Sequence, residues 1–514
     1  TLVEFFRNIE DPYLRSKKND VHQVVNRILD ELTMNNDPPA AALDGNLAGR
    51  VVIANDLTPA DAVTLHHRGI TAFVTSLGGP ISHTAILARS LGIPAVVGLH
   101  HAVQYIQNGD LLAVDGHTGT VLVGLDQSLL TEFQQRQTKQ AQREQELAAL
   151  EKKLVGGPSD LLPPRVRPGS PGRGVSRDAL YKALSSAPSS SAPGPSGLRF
   201  SHLQAFKAHP RALAWLGGLC DRIADGDVPE AAVGLLALTK LTPLLKDGGG
   251  IRPVAGGECL RKLAARALVR EHRDTLLEAV GPAQYGAGRP GGAETLVHAV
   301  QVVSEARPDH AWVQLDVANA FPSVRRRAVL EAVAEHAPAL LPLAETFLRR
   351  ASSFVFQGSG GRGVVLRATL GVEQGDVLGP LLFAVAFRRP VEELRAALVA
   401  ALVEEHGYSL QEAEEAVVLG AYLDDVLVGV PAAVAARVPA LAAQTFAPAG
   451  CLVEQQKTKV WVPAGLCPDG CEAWWSPRGL RVLGAPAEGE TPLAALGELG
   501  AVVGDAGLVA GFLN

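Results

Sequence analysis

A histidine set in Gly78-Gly79-Pro80-Ile81-Ser82-His83-Thr84-Ala85 is the first place where this chain has residues suited to chemistry. Paired glycines permit a tight turn, Ser82 suits a helix N-cap, and His83 then falls in the first helical turn. A phosphoryl group on that imidazole would meet backbone N–H groups and the positive helix end, with the Thr84 hydroxyl as a further donor. Imidazole titrates near neutrality, so a nucleophilic nitrogen is available. Far downstream lie acids, in Leu315-Asp316-Val317-Ala318-Asn319-Ala320-Phe321, in Gln374-Gly375-Asp376 and in Tyr422-Leu423-Asp424-Asp425. Carboxylates brought together repel one another, and magnesium relieves the repulsion. Two such ions can activate an attacking hydroxyl and stabilise a departing pyrophosphate. A phosphorylated histidine and two-metal nucleotidyl transfer are separate chemistries, and no single active site needs both.

Taken singly, each feature has a plainer account. A histidine at a helix start is usually a surface residue, and an Asp-Asp pair is usually an acidic hairpin tip. Phe321 and Gln374 also suit core and loop filling, while Arg325-Arg326-Arg327 and Arg349-Arg350 suit solvated helix faces better than phosphate contacts. Cys467-Pro-Asp-Gly-Cys471 is either half a zinc site or two thiols flanking a turn, and the turn is favoured because no second ligand pair follows at usable spacing.

These residues need elements to hold them. Residues 50–124 alternate strand-like and helix-like pieces: 50–54, a helix 59–67, 72–75, a helix 83–91, 95–97 and 111–114, which makes a small mixed α/β domain. Residues 126–154 lack Gly and Pro and read as one long polar helix, stopped by Val155-Gly156-Gly157-Pro158. A linker follows to about Gly197, around a short helix near 176–186. Trp312-Val313-Gln314-Leu315-Asp316 is an apolar strand ending in a carboxylate, and residues 417–429 form a hairpin with Asp424-Asp425 at its tip. Pairing those strands would bring three acids together.

At 514 residues the chain has length for two to four domains. A net charge of -6 argues against a basic clamp over the whole molecule but leaves room for a local basic channel. No apolar run reaches the length of a membrane span. The start at Thr1 and the single methionine, Met34, suggest a fragment or incomplete gene product. All five cysteines lie in the second part at irregular spacing, as in a reducing compartment. Composition also breaks near residue 155, with eight Asn and eight Ile before it and two of each after it. No structural demand explains that break, which points to two coding histories, either a natural fusion or a chimeric assembly.

The string GGPISHTAILARSLGIPAVVG, with Asp56-Leu57-Thr58-Pro59 and Val114-Asp115-Gly116-His117-Thr118-Gly119, resembles Enzyme I of the bacterial phosphoenolpyruvate–sugar phosphotransferase system. The resemblance runs from about Asp11 to Leu154, with Pro80-Ile81 in place of a commoner Arg-Thr pair. It implies a swivelling phosphohistidine domain over 33–124, a remnant of the helical HPr-binding domain over 1–32, and the long helix at 125–154. It makes His83, supported by Gly78, Gly79, Ser82 and Thr84, the carrier of phosphate from phosphoenolpyruvate to an HPr-like protein. The family's magnesium-dependent phosphoenolpyruvate barrel has no match after the helix, so the domain is expected to present His83 without phosphorylating itself.

From about Gly194 to Pro486 the chain resembles a reverse transcriptase of the non-LTR retrotransposon kind. Pro193-Gly194-Pro195-Ser196-Gly197-Leu198 looks like the start of its fingers, and Leu244-Leu245-Lys246-Asp247 with Ile251-Arg252-Pro253-Val254 like the segment that holds the triphosphate. The resemblance implies a right-hand fingers–palm fold over 198–514 after a 155–197 linker, with the thumb truncated and primer retention poor. Asp316, Asp424 and Asp425 take the magnesium-binding positions, and Lys246 and Arg252 the phosphate-binding ones. Phe321 takes the position that excludes a ribose 2′-hydroxyl, Gln374 and Gly375 those that seat nucleotide and template, and Lys457 that of a proton donor to pyrophosphate. Glu454 stands where an asparagine is usual, and Gly479-Leu480-Arg481-Val482-Leu483-Gly484 resembles the primer-gripping hairpin. The partners implied are an RNA or DNA template-primer and deoxynucleotides. The cytoplasm suits the first family, and the nucleus suits a working reverse transcriptase; no membrane is implied. Two other readings stay open: a chimeric or decayed chain inactive in one or both parts, and a first part that serves only as a binding module.

Overall fold

The computed structural model describes residues 47–79, 82–116, 118–155, 174–189, 191–246, 250–357, 363–483 and 485–486, with His83, Gln127, Ala485 and Pro486 described by backbone alone. The expected HPr-binding remnant at 1–32, residues Pro80 and Ile81, Asp247, Gly484 and the chain after 486 lie outside them. The chain divides between Gln140 and Ala141 into two units, a mixed α/β arrangement in more than one domain.

In the first unit, Thr58 starts a helix by accepting a hydrogen bond from the Asp61 N–H while the Asp61 carboxylate takes the Thr58 N–H, and Pro59 supplies a preset φ. That helix, α1 (Pro59–His67), links β1 (Val51–Ala54) to β2 (Ala72–Thr75), and α2 (His83–Ser90) links β2 to β3 (Ala95–Val96). The strands form a parallel sheet in the order β1-β2-β3. All four residues of β2 are buried, as a strand covered on both faces requires. Leu57, Leu65, Phe73, Ala88 and Ile93 make one core. β4 (Leu112–Asp115) and β5 (Thr120–Val123) form a separate hairpin. A long helix, α3 (Gln127–Leu154), follows, and its residues beyond Gln140 belong to the second unit.

Two four-stranded sheets build the second unit. One has the order β11-β10-β6-β7, from β6 (Leu238–Leu245), β7 (Ile251–Gly256), β10 (Ser352–Gln357) and β11 (Gly363–Ala368). The other has the order β12-β13-β8-β15, from β8 (His310–Leu315), β12 (Val418–Tyr422), β13 (Asp425–Pro431) and β15 (Lys459–Trp461). Two short strands, β9 (Val317–Ala318) and β14 (Leu452–Val453), pair beside the second sheet. Helices α4 (Arg177–Ser185), α5 (Cys259–Glu271) and α6 (Gly379–His406) contribute to the largest core. Along α6 the run Leu381 to Phe387 is buried without a polar break, so this helix is covered on all sides there. Among the described residues no helix is long and apolar enough to cross a membrane.

Candidate functional site

The backbone around His83 is built as a helix start. Ser82 is extended (φ -64°, ψ 151°), and its hydroxyl accepts the Ala85 N–H at 3.2 Å, which fixes His83 as the first residue of α2. Gly78 has φ +100°, a conformation that costs an L side chain energy and glycine little. Gly79 has open space where a Cβ would stand. Thr84 differs from expectation. It is buried, and its hydroxyl donates 2.7 Å to the Leu57 carbonyl ahead of α1. Its donor is therefore spent on joining α2 to α1, not held ready for a phosphate.

In the second unit the acids converge through strand register. Leu315 of β8 faces Val426 of β13 in the last pair of that ladder, and Asp316 and Asp425 are the next residues of the two segments just beyond it. Asp424 occupies the loop of the β12–β13 hairpin, whose last pair is Tyr422 and Asp425. Burial pushes the Asp424 carboxyl up to about 6, reinforced by the charges of Asp425 and Asp316 and opposed by Lys246. Asp425 is also pushed up, by burial of its carboxyl among neighbouring groups and by Asp316, although its residue as a whole is exposed. Asp316 accepts a 2.7 Å hydrogen bond from Lys457 Nζ, which Glu454 also accepts at 2.8 Å. Glu454 thus adds a negative charge where an asparagine would be neutral.

The hairpin tip is held from outside. Leu423 has φ +56°, an unusual conformation for a branched residue. The buried Gln284 grips it: Oε1 accepts the Leu423 N–H at 2.7 Å, and Nε2 donates to the Leu423 carbonyl at 3.4 Å. Gly286 lets this segment approach, since a Cβ there would lie 2.6 Å from the Leu423 nitrogen. Sequence reasoning missed Gln284, because its partner lies 139 positions away.

The other expected residues gather on neighbouring loops. Lys246 follows β6, with its N–H bonded to the Gly250 carbonyl at 2.8 Å, and Arg252 lies on β7 opposite Leu244; both side chains are exposed. The Gln374 carbonyl accepts the Ala255 N–H of β7 at 2.6 Å. Gly375 has φ +103°, and a Cβ there would stand 2.8 Å from the Ala255 oxygen. Phe321 is 8% exposed and stacks on Phe383 of α6 at 4.9 Å, and its carbonyl accepts the Val372 N–H. It is a core residue on the border of the Gln374 loop. That loop has a second support absent from the motif reading. Arg261 of α5 is buried, forms ion pairs with Glu373 at 3.3 Å and with Asp376, and lies 4.3 Å over the Phe347 ring.

The arginine runs divide differently from either account of them. Arg326 is 1% exposed and donates to the Gly371 carbonyl at 3.0 Å and to Ser352 Oγ at 2.8 Å, so it is a core staple. Arg349 and Arg350 pair with Glu345 and Glu230. Cys467 is exposed and Cys471 buried, and both are free thiols flanking a turn. By chemistry and backbone placement, Asp316, Asp424 and Asp425 fit a hard divalent cation, and the Asp424 carboxyl is raised chiefly by burial, with Asp425 and Asp316 adding to it. Their side chains are not drawn into a ligand cluster: among the described residues, no three His, Cys, Asp or Glu side chains are grouped to hold a metal. Asp316 is turned to Lys457 instead.

Comparison with known proteins divides the chain the same way. Residues 47–119 match the family described as PEP-utilising enzyme, mobile domain, and residues 244–487 match the family described as reverse transcriptase (RNA-dependent DNA polymerase). The phosphoenolpyruvate-protein phosphotransferase of Cupriavidus necator is 42% identical over 155 residues, which cover 29% of this chain and 26% of that protein. The chain therefore spans about a quarter of that curated relative's length. An NMR solution structure of Enzyme I is 36% identical with a TM-score of 0.22, covering 27% of this chain and 54% of that one. The structure of apo telomerase from Candida tropicalis is 12% identical with a TM-score of 0.32, covering 44% of this chain and 50% of that one. An Enzyme I-like phosphohistidine-type domain and a reverse transcriptase domain, both from enzyme families, are joined in one chain.

Proposed function

We propose that the second unit is an RNA-directed DNA polymerase of the non-LTR retrotransposon kind, with β6, β7, β10 and β11 as fingers and β8, β12, β13 and β15 as palm. The observation that carries this reading is the β8–β13 register, which ends at Leu315 and Val426 and so brings Asp316 and Asp425 together just beyond it, with Lys246 near enough to act on Asp424. Magnesium held by these three acids would neutralise the cluster and polarise the reacting phosphate. Lys246 and Arg252 hold the triphosphate through charge-assisted contacts. Phe321 limits the room beside the sugar, and Gln374 and Gly375 seat the template base. Lys457 releases Asp316 and gives its proton to the departing pyrophosphate. Asp424→Asn should abolish magnesium-dependent deoxynucleotide incorporation on a primed RNA template. Wild-type incorporation by that variant would refute the assignment.

For the first unit, His83 at the start of α2 supports a phosphohistidine role within a swivelling domain, with phosphoenolpyruvate as the ultimate donor and an HPr-like protein as acceptor. Residues beyond α3 match the reverse transcriptase family in the place where the donor-binding barrel was expected, so in this reading they do not themselves charge His83. Incubation with labelled phosphoenolpyruvate and magnesium should leave His83 unlabelled. An acid-labile, base-stable label on it would overturn this.

A further inference from the structure

Beyond Gln140, α3 lies on the sheet of β6, β7, β10 and β11. Leu150 is fully buried there among Leu241, Ile251, Ala255, Phe354 and Phe356. Arg143 ties the helix to the same sheet by donating 3.0 Å to the Gln357 carbonyl. This seating carries Lys153 to the end of the β6–β7 hairpin, where its ammonium donates to the Ile251 carbonyl. On one side of Ile251 is Gly250, which accepts the Lys246 N–H; on the other is Arg252. Lys153, from a segment 98 positions before Ile251, thus joins Lys246 and Arg252, two cations of that hairpin, at its end. Burial lowers the Lys153 pKa, and the charges of Lys246, Lys457 and Arg252 lower it further. Among the described residues no carboxylate forms an ion pair with Lys153 or with Arg252.

Cations crowded this way are destabilised unless an anion stands among them. Asp316, Asp424 and Asp425 lie close by and would repel a bare phosphate or carboxylate. A polyphosphate that brings its own divalent cation satisfies both groups. We propose that Lys153 is a phosphate-binding residue, a third cation that grips the triphosphate of the incoming deoxynucleotide alongside Lys246 and Arg252. The helix that supplies it lies outside residues 244–487, the stretch that matches the reverse transcriptase family. The proposal rests on the polymerase reading of the second unit and adds to it a residue from a different segment.

The test uses the full chain and magnesium dTTP, titrated by calorimetry. Lys153→Met keeps the packing stem and removes the charge, Lys153→Gln repeats the loss with a polar tip, and Lys153→Arg restores the charge. Lys152→Met, at an exposed neighbour, is the control. Loss of one charge-assisted contact should weaken dTTP binding roughly tenfold in the Met and Gln variants, and leave it near wild type in the Arg and Lys152 variants. In primer extension the KM for dTTP should rise by the same factor, with kcat little changed. Unchanged dTTP affinity in the Met and Gln variants overturns the proposal. So does weaker binding of an oligo(dT) strand with dTTP binding intact, which would move Lys153 to the nucleic-acid backbone. Failure of the polymerase reading shows separately, as incorporation that survives Asp424→Asn.

Discussion

Asp424 shows what burying a carboxylate beside other acids costs the protein. Its carboxyl is raised from an ordinary 3.8 to about 6, so folding favours the protonated form. Stability from this group is complete below the unfolded value and is lost as pH rises through about 6. Metal-free Asp424→Asn should therefore melt above the parent near neutral pH, by about 2 kcal/mol once partial exposure is allowed for, with the gap closing in acid. Thermal unfolding across that range in a chelating buffer checks the sign. Thr84→Val leaves the buried Leu57 carbonyl without its donor and should cost the first unit about 1–3 kcal/mol in urea unfolding. At this scale the sequence showed the acids and His83, because residue type and spacing carry their chemistry. It did not show Gln284, Arg261 or Lys153, whose roles depend on partners 139, 112 and 98 positions away.

Loops and strands hold these groups by fits that leave little slack. The Gln374–Gly375 loop lies against Ala255 of β7 so closely that any Cβ on Gly375 would strain it. Gly375→Ala should store about 1–3 kcal/mol of strain and slow nucleotide incorporation on a primed template, measured in a single-turnover extension assay. Element bounds were mostly legible: the helix expected over 59–67 is Pro59–His67, and the one expected over 126–154 is Gln127–Leu154. What α3 packs against was not legible. Its polar composition hides the stripe Leu147, Leu150 and Leu154, spaced three and four apart, which packs on the sheet. That spacing was the available signal.

Each unit has a core of its own. Leu57, Leu65 and Phe73 belong to one, and Leu241, Phe354 and the α6 phenylalanines to others in the second unit. Separate cores predict separate melting transitions in calorimetry. Leu150→Ala should lower only the second unit's transition, by about 2–5 kcal/mol in stability. Thr84→Val should lower only the first. The break in Asn and Ile usage near residue 155 points to a seam, yet it is not where the fold divides, after Gln140.

That offset matters to anyone who cuts the gene. A fragment of the second unit started at the compositional break would lose Leu147, Leu150 and Leu154 and leave Phe354, Ile251 and Leu366 bare to water. An exposed apolar sheet face of that kind invites aggregation. Whatever the origin of α3, its last turns have become a cover the downstream sheet cannot shed.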